Sequence, residues 1–210
     1  MHWRSSAKMG ELMVRREEQP WQSRATLFLD NRMRSHRGQG IASSLEAAVS
    51  VAASIAVHLS RRGFAVRLVT AAGEDPSSAW HLRDTELNTA PLLEALAVLA
   101  PSGAPQLETG WLTEHGSGGL VVAVLGSLEP MDTPVLRRMN THAGSALAVA
   151  LDVEAWVSGG VGTGGATGML TQQGWRAVPL GPRDRLETAW EELGRGSAQG
   201  ARARGIGAGV

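Results

Sequence analysis

The chain has 210 residues, 43% hydrophobic and 19% charged, which suits one globular α/β or mixed domain with a sizeable core, or such a domain with tails. Twenty basic and twenty acidic side chains cancel to zero net charge, which argues against general nucleic-acid binding, since that shows as a basic excess. There is no Cys, so disulfides, thiolate metal sites and cysteine nucleophiles are excluded, and with no Tyr the aromatic anchoring falls to seven Trp.

Residues 1–20 place Arg4, Lys8, Arg15, Arg16, Glu11, Glu17 and Glu18 around Leu12, Met13 and Val14. This reads as an extended arm with one short strand, which must pack on something because it cannot form its own core. Its opening, HWRSSAKMGE, has no apolar segment of the kind a signal peptide carries. Ala25 to Asp30 reads as the first buried strand and Asn31 to Gly40 as a polar, basic loop. Ser43-Ser44-Leu45-Glu46 fits a capping box, and Leu45, Val49, Ala52, Ala56 and Leu59 recur at helical spacing. Arg61, Arg62 and Gly63 supply the charge and the left-handed stop that end such a helix. The run Ile41 to Leu59 is the longest weakly polar stretch, but Glu46, His58 and its serines make a membrane span a poor reading.

Ala65 to Thr70 is a second strand, so strand, helix and strand form a βαβ unit with the two strands parallel. Thr89 caps a helix from Ala90 to Ala100, with Pro91 in its first turn. Leu120 to Leu125 is apolar throughout, the pattern of a parallel strand covered on both faces. Thr133 and Pro134 open a helix to Thr141, and Ala146 to Leu151 is a further buried strand. Ser158 to Gly168 reads as a Gly-rich loop, Arg176 to Leu180 as the last strand and Arg183 to Leu193 as the last helix. Residues 195–210 are of Gly/Ala/Arg low complexity and read as a disordered tail. The whole predicts a doubly wound α/β domain over 21–194, with a mainly parallel sheet flanked by helices.

In such a sheet a carboxylate at the C-terminal tip of a strand faces the crevice where ligands bind, which singles out Asp30. A hard cation there needs several oxygen ligands, yet the positions two and four residues on are Arg32 and Arg34, which repel one. Asp30 is therefore expected to pair with a nearby Arg or to accept backbone N–H groups, with no metal bound and no cofactor required. Gly160 to Gly165 fits G-x-G-x-x-G, but it lies late in the chain instead of after the first strand, and is read as a loop. No P-loop sequence is present, and the six histidines show no metal-binding spacing. Ser117 follows His115-Gly116 and precedes a strand, so it reads as a turn and not a nucleophile elbow. Arg32, Arg34, His36 and Arg37 form the densest basic loop, read as solvated charge or as a surface for an acidic protein partner or anionic lipid headgroups.

Three passages resemble the bacterial domain of unknown function 58 family: HWRSSAKMGELMVRRE at the start, ATLFLD at Ala25–Asp30, and LEAAVSVAASIAVHLSRRGFAVRLVT. QQGWRAVPLGPRDRLETAWEEL is similar to the C-terminal part of actinobacterial members. The resemblance implies a von Willebrand factor A-like fold. It also implies a longer protein, anchored by two transmembrane helices ahead of the His-Trp motif, of which this chain is the C-terminal portion. It further implies a MoxR-type AAA+ ATPase as protein partner at the cytoplasmic, inner face of the membrane. Metal sites of that fold use Asp-x-Ser-x-Ser with an Asp after a later strand; here only Asp30 matches, and Gly126-Ser127 stands where the later Asp is expected.

The expectation is thus a non-catalytic protein-interaction module with a degenerate metal site. His2, Trp3, Arg4, Asp30, Arg32, Arg34 and Arg37 are its candidate partner-binding residues. One alternative is a metal-dependent adhesion module using Asp30, Ser35, Thr70 or Ser127; another is a nucleotide-binding enzyme using Gly160–Gly165.

Overall fold

The computed structural model describes residues 23–73, 89–114, 118–157 and 164–204. Five parallel strands form one sheet: β1 (Arg24–Leu29), β2 (Ala65–Thr70), β3 (Leu120–Leu125), β4 (Ser145–Leu151) and β5 (Arg176–Leu180), in the spatial order β2-β1-β3-β4-β5. Six α-helices connect and cover them among the described residues: α1 (Ser44–Arg61), α2 (Ala90–Ala97), α3 (Trp111–Glu114), α4 (Thr133–His142), α5 (Gly165–Gln172) and α6 (Leu186–Arg204). The doubly wound α/β fold expected from the sequence is the fold found.

Alternation along β1 explains both layers. Leu27 and Leu29 face a core built with α1, α2 and α6, through residues such as Ile55, Leu96 and Leu193. Phe28 faces the opposite core, with Trp111, Leu136, Met139, Leu170 and Trp175 from the other helices and their loops. Both faces of the strand are thereby dry, which is why the sequence reads as an unbroken apolar run. Each such fully buried side chain contributes about 1.5–3 kcal/mol of transfer free energy.

Helix α1 starts at Ser43, whose hydroxyl accepts the Glu46 N–H at 3.2 Å, one half of the expected capping box. The Ser43 N–H goes to the Gly40 carbonyl instead of to Glu46. The helix ends at Arg61, two residues before Gly63 at φ 83°, as the left-handed stop requires.

Several elements differ from the sequence reading. The helix expected over Ala90–Ala100 ends at Ala97, Thr89 makes no capping bond with its side chain, and the short α3 was not foreseen. The stretch expected to be a loop to Gly168 contains α5, which starts at Gly165 after Gly164 at φ 61°. Glycines weaken a helix by about 1 kcal/mol each and so hid it, but Leu170 at 0% exposure anchors it to the core. The last helix begins at Leu186, not Arg183, and runs to Arg204, through part of the segment expected to be disordered. Its Ala and Arg content favours helix strongly enough to carry the chain past Gly194 and Gly196.

Registers fix where the strands end. Leu29 lies beside Thr70 and Val124, Leu125 beside Ala150, and Leu151 beside Leu180. The strand order reverses between β1 and β3, so the ligand crevice of this fold lies just beyond Leu29 and Leu125.

Candidate functional site at the carboxyl edge of the sheet

Asp30, Arg32 and Asp132 meet in that crevice. Asp30 follows β1, and its own N–H continues the ladder to the Val124 carbonyl at 2.9 Å. Two residues on, the Arg32 guanidinium turns back onto it. Nε donates to Asp30 Oδ1 at 2.9 Å and Nη2 to Oδ2 at 2.9 Å, a bidentate pair. The Arg32 N–H adds a bond of 3.1 Å to Oδ1. On its other side Nη1 reaches Asp132 Oδ1 at 2.7 Å and Nη2 reaches Oδ2 at 3.2 Å. Arg32 and Asp30 are 0% exposed and Asp132 is 1% exposed.

Burial by itself would ease the proton off Arg32, but the hydrogen bonds and charges of Asp30 and Asp132 outweigh it and hold its pKa above the ordinary arginine value. The guanidinium is permanently charged.

Asp132 arrives from a turn, not from a strand tip. Pro130–Asp132 is a single 3-10 turn leading into α4, and the Glu129 and Asp132 side chains cap it reciprocally. The Glu129 N–H donates to Asp132 Oδ2 at 3.0 Å. Gly126-Ser127, where a carboxylate is absent, serves another purpose. A Cβ on Gly126 would overlap the Ser35 carbonyl oxygen, so only glycine lets the Arg32–Arg37 loop lie down on β3. The Ser127 N–H then donates to that carbonyl at 2.8 Å.

The loop is pinned on both flanks. Asn31 donates through Nδ2 to the Ala100 carbonyl at 2.9 Å and accepts the Ala71 N–H at 3.3 Å. His36 Nε2 donates to the Asp30 carbonyl at 2.6 Å, so Nδ1 is left as the acceptor for the Ser44 hydroxyl at 3.1 Å. Ser44 Oγ in turn accepts the Arg37 N–H at 2.9 Å. Burial lowers the His36 pKa; the Asp30 carbonyl and carboxylate oppose this, while Arg32 and Arg37 reinforce it. The ring is neutral, in the Nε2–H form this network requires.

Three sequence-based site assignments are corrected. Arg32 is no member of a solvated basic loop, because bidentate pairing with Asp30 and the call of Asp132's charge draw it into the interior. Asp30 likewise presents no side-chain surface to a partner, and His36 is buried and neutral, not basic. The expected pairing of Asp30 with a nearby Arg and a backbone N–H is what forms. Arg34 and Arg37 do reach the surface. Arg34 donates to Glu129 Oε2 at 2.9 Å and lies 3.8 Å from Asp132, and Arg37 lies 3.4 Å from Glu154. His2, Trp3 and Arg4 lie outside the described residues, as do Ser117 and Gly160 to Thr163. Gly164 and Gly165 open α5.

Asp132 is the functional residue that sequence reasoning missed. Its signal was Glu129-Pro130-Met131-Asp132 ahead of a helix, an acidic capping pattern and not a strand-tip carboxylate.

The residues do not fit a divalent metal at this position. A Mg²⁺ ion needs near-octahedral oxygen ligands, and the Arg32 guanidinium stands between the two carboxylates that would provide them. Ser35 and Thr70 are both buried, and among the described residues no three acidic or His side chains converge to hold a metal.

Outside this closed cluster the same edge carries apolar side chains in water. Met33 is 65% exposed, Ile41 98%, Met131 49% and Val157 46%. They stand on the segments after β1, β3 and β4, and Arg34 Nη2 touches the Met131 sulfur at 3.5 Å. Beside β4 and β5 a cleft of about 170 Å³ opens, lined by Ser127, Asp152, Glu154, Thr167 and Pro179.

No family model matches the chain, and no curated protein sequence does. Among solved structures it is similar to the PilB minor pilin from Streptococcus sanguinis, at 9% identity and a TM-score of 0.47. The match covers 86% of this chain and 62% of that one, so this chain spans less than two thirds of its length. At that score the likeness adds nothing to the architecture described above. No helix among the described residues is long and apolar enough to cross a membrane.

Proposed function

We propose that this domain is a non-catalytic protein-interaction module that engages its partner through the carboxyl edge of the sheet. The observation that carries the reading is the division of that edge into two layers. The charged groups beneath are paired with one another, while Met33, Ile41, Met131 and Val157 face water above them. Apolar side chains gathered on one edge and rimmed by charge are the mark of a protein contact surface. Arg34 and Arg37, each paired with a partly exposed Glu, form the polar rim.

The resemblance to the domain of unknown function 58 family supports a von Willebrand factor A-like origin for this module. It also supports a MoxR-type AAA+ ATPase as the partner, at the cytoplasmic face of a membrane. The metal-dependent alternative requires the space that Arg32 fills. The nucleotide-binding alternative gains no support from the position of Gly164 and Gly165, which simply begin a helix.

The test is capture of a MoxR-type ATPase from the same genome by the full chain, without nucleotide and with ADP or ATP. Met33→Ser combined with Met131→Ser should weaken capture at least about tenfold, the scale of one lost hot spot. No capture in any nucleotide state removes this partner. Capture that ignores the double substitution moves the interface off this edge.

A further inference from the structure

We propose that Arg32 is a resident cation: its guanidinium occupies the place between Asp30 and Asp132 that a divalent metal ion would need, so that this edge is set without metal. The two arginines follow Asp30 by two and four residues: Arg32 bridges both aspartates, while Arg34 pairs with Glu129 at 2.9 Å and lies 3.8 Å from Asp132. Arg32 provides four side-chain hydrogen bonds to the two acids, from 2.7 to 3.2 Å, and is closed from water.

An ion held by protein oxygens leaves when it is chelated, whereas a side chain does not. The arrangement of Asp30 and Asp132 is therefore fixed in this chain by a covalently attached charge. Removing the Arg32 side chain would leave two buried carboxylates facing a gap, with Ser35, whose buried hydroxyl has no hydrogen-bond partner, in the same loop. Such a gap calls for a cation.

The consequence for binding, that partner capture survives EDTA, rests on the interface proposed above. The inference itself is tested without any partner, so either can fail alone. The full chain and its Arg32→Ser variant are compared in EDTA, in millimolar Mg²⁺ or Mn²⁺, and in millimolar methylguanidinium. Thermal midpoint and far-UV circular dichroism report folding, and Mn²⁺ spin resonance reports bound ion. The parent chain should bind no Mn²⁺ and keep its midpoint in every condition. Arg32→Ser should melt lower in EDTA, or be unfolded there. Mn²⁺ should then raise its midpoint by roughly 5–10 °C at 100 times the dissociation constant, or refold it, with methylguanidinium acting in the same direction. Mn²⁺ bound by the parent chain overturns the inference. So does an Arg32→Ser variant, folded or not, that responds to neither cation.

Discussion

At the β1–β3 switch point the carboxyl edge of the sheet is closed by charge, whereas beside β4 and β5 the same edge opens into a cleft of about 170 Å³. The closed region holds three charged side chains almost wholly out of water, each hydrogen-bonded to another. In the open region Asp152 and Glu154 keep access to solvent, and Glu154 has only a partly exposed pairing with Arg37. An ionised group costs several kcal/mol to bury unless paired, so a crevice rich in carboxylates must be wet or internally neutralised. This molecule does one on each side. The closed side is held by paired charge, and Met33 and Met131, on the segments that carry Arg32 and Asp132, are exposed beside it.

The comparison is broken most severely at Arg32. Arg32→Ala strands Asp30 and Asp132 without their cation and should cost about 3–5 kcal/mol in urea-induced unfolding. Asp152→Asn, on the open side, should change stability by no more than about 0.5 kcal/mol in the same measurement. Equal losses would mean that the closed cluster is no better a determinant of stability than an ordinary surface acid.

Glycine substitutions sharpen the contrast at a smaller scale. Gly126→Ala places a methyl against the Ser35 carbonyl, so the loop carrying Arg32 must lift; about 1–3 kcal/mol is expected, read as a lower chemical-unfolding midpoint. Gly168→Ala lies inside α5 with nothing within 4 Å of the new Cβ. It should stabilise by up to about 1 kcal/mol through helix propensity alone.

How much of this was legible follows the same division. Strands β2 and β3 have the bounds the sequence suggests, because burial on both faces leaves an unmistakable pattern; β5 also has its expected bounds, although Pro179 on this edge strand is exposed. The pairing of Asp30 with an Arg was legible from the ligand chemistry of Arg32 and Arg34. The direction Arg32 takes was not, because local sequence gives no hint of Asp132, 100 residues away. Four arginines and histidines within six positions look like solvated charge; long-range carboxylates and the Ser44 hydroxyl turn two of them inward. Helix α5 was hidden by its glycines, since the contacts of Leu170, Ala166 and Met169 with the far core are what compensate for their backbone entropy.

Acidification should weaken the closed side before the open one. The His36 pKa is lowered in the folded chain, above all by burial, against an unfolded value of about 6.5. The neutral ring's contribution is therefore complete above that pH. It is lost as pH falls from about 6.5 through the lower folded value, because the unfolded chain takes up the proton more readily. A second Nδ1 proton would also displace the Ser44 hydroxyl from its acceptor. Urea midpoints measured downward from neutral should decline in this window, and His36→Gln should flatten the decline; an unchanged slope in that variant would show another group responsible.

The smallest stability effects belong to the rim, and there the two readouts separate. Arg34–Glu129 and Arg37–Glu154 are partly exposed pairs, whose single removal is worth about 0–1 kcal/mol because water and salt replace the partner. Arg37 also donates to the Arg34 and His36 carbonyls at 3.0 and 3.1 Å, so Arg37→Ala should lie toward the upper end of that range. Partner capture should respond differently. Rim charges set encounter rate and its salt dependence, so Arg34→Ala and Arg37→Ala should slow association and flatten its dependence on ionic strength while leaving the unfolding midpoint almost in place. If both substitutions leave association unchanged at every ionic strength, the arginines serve only to hold the loops, and the apolar layer alone recognises the partner.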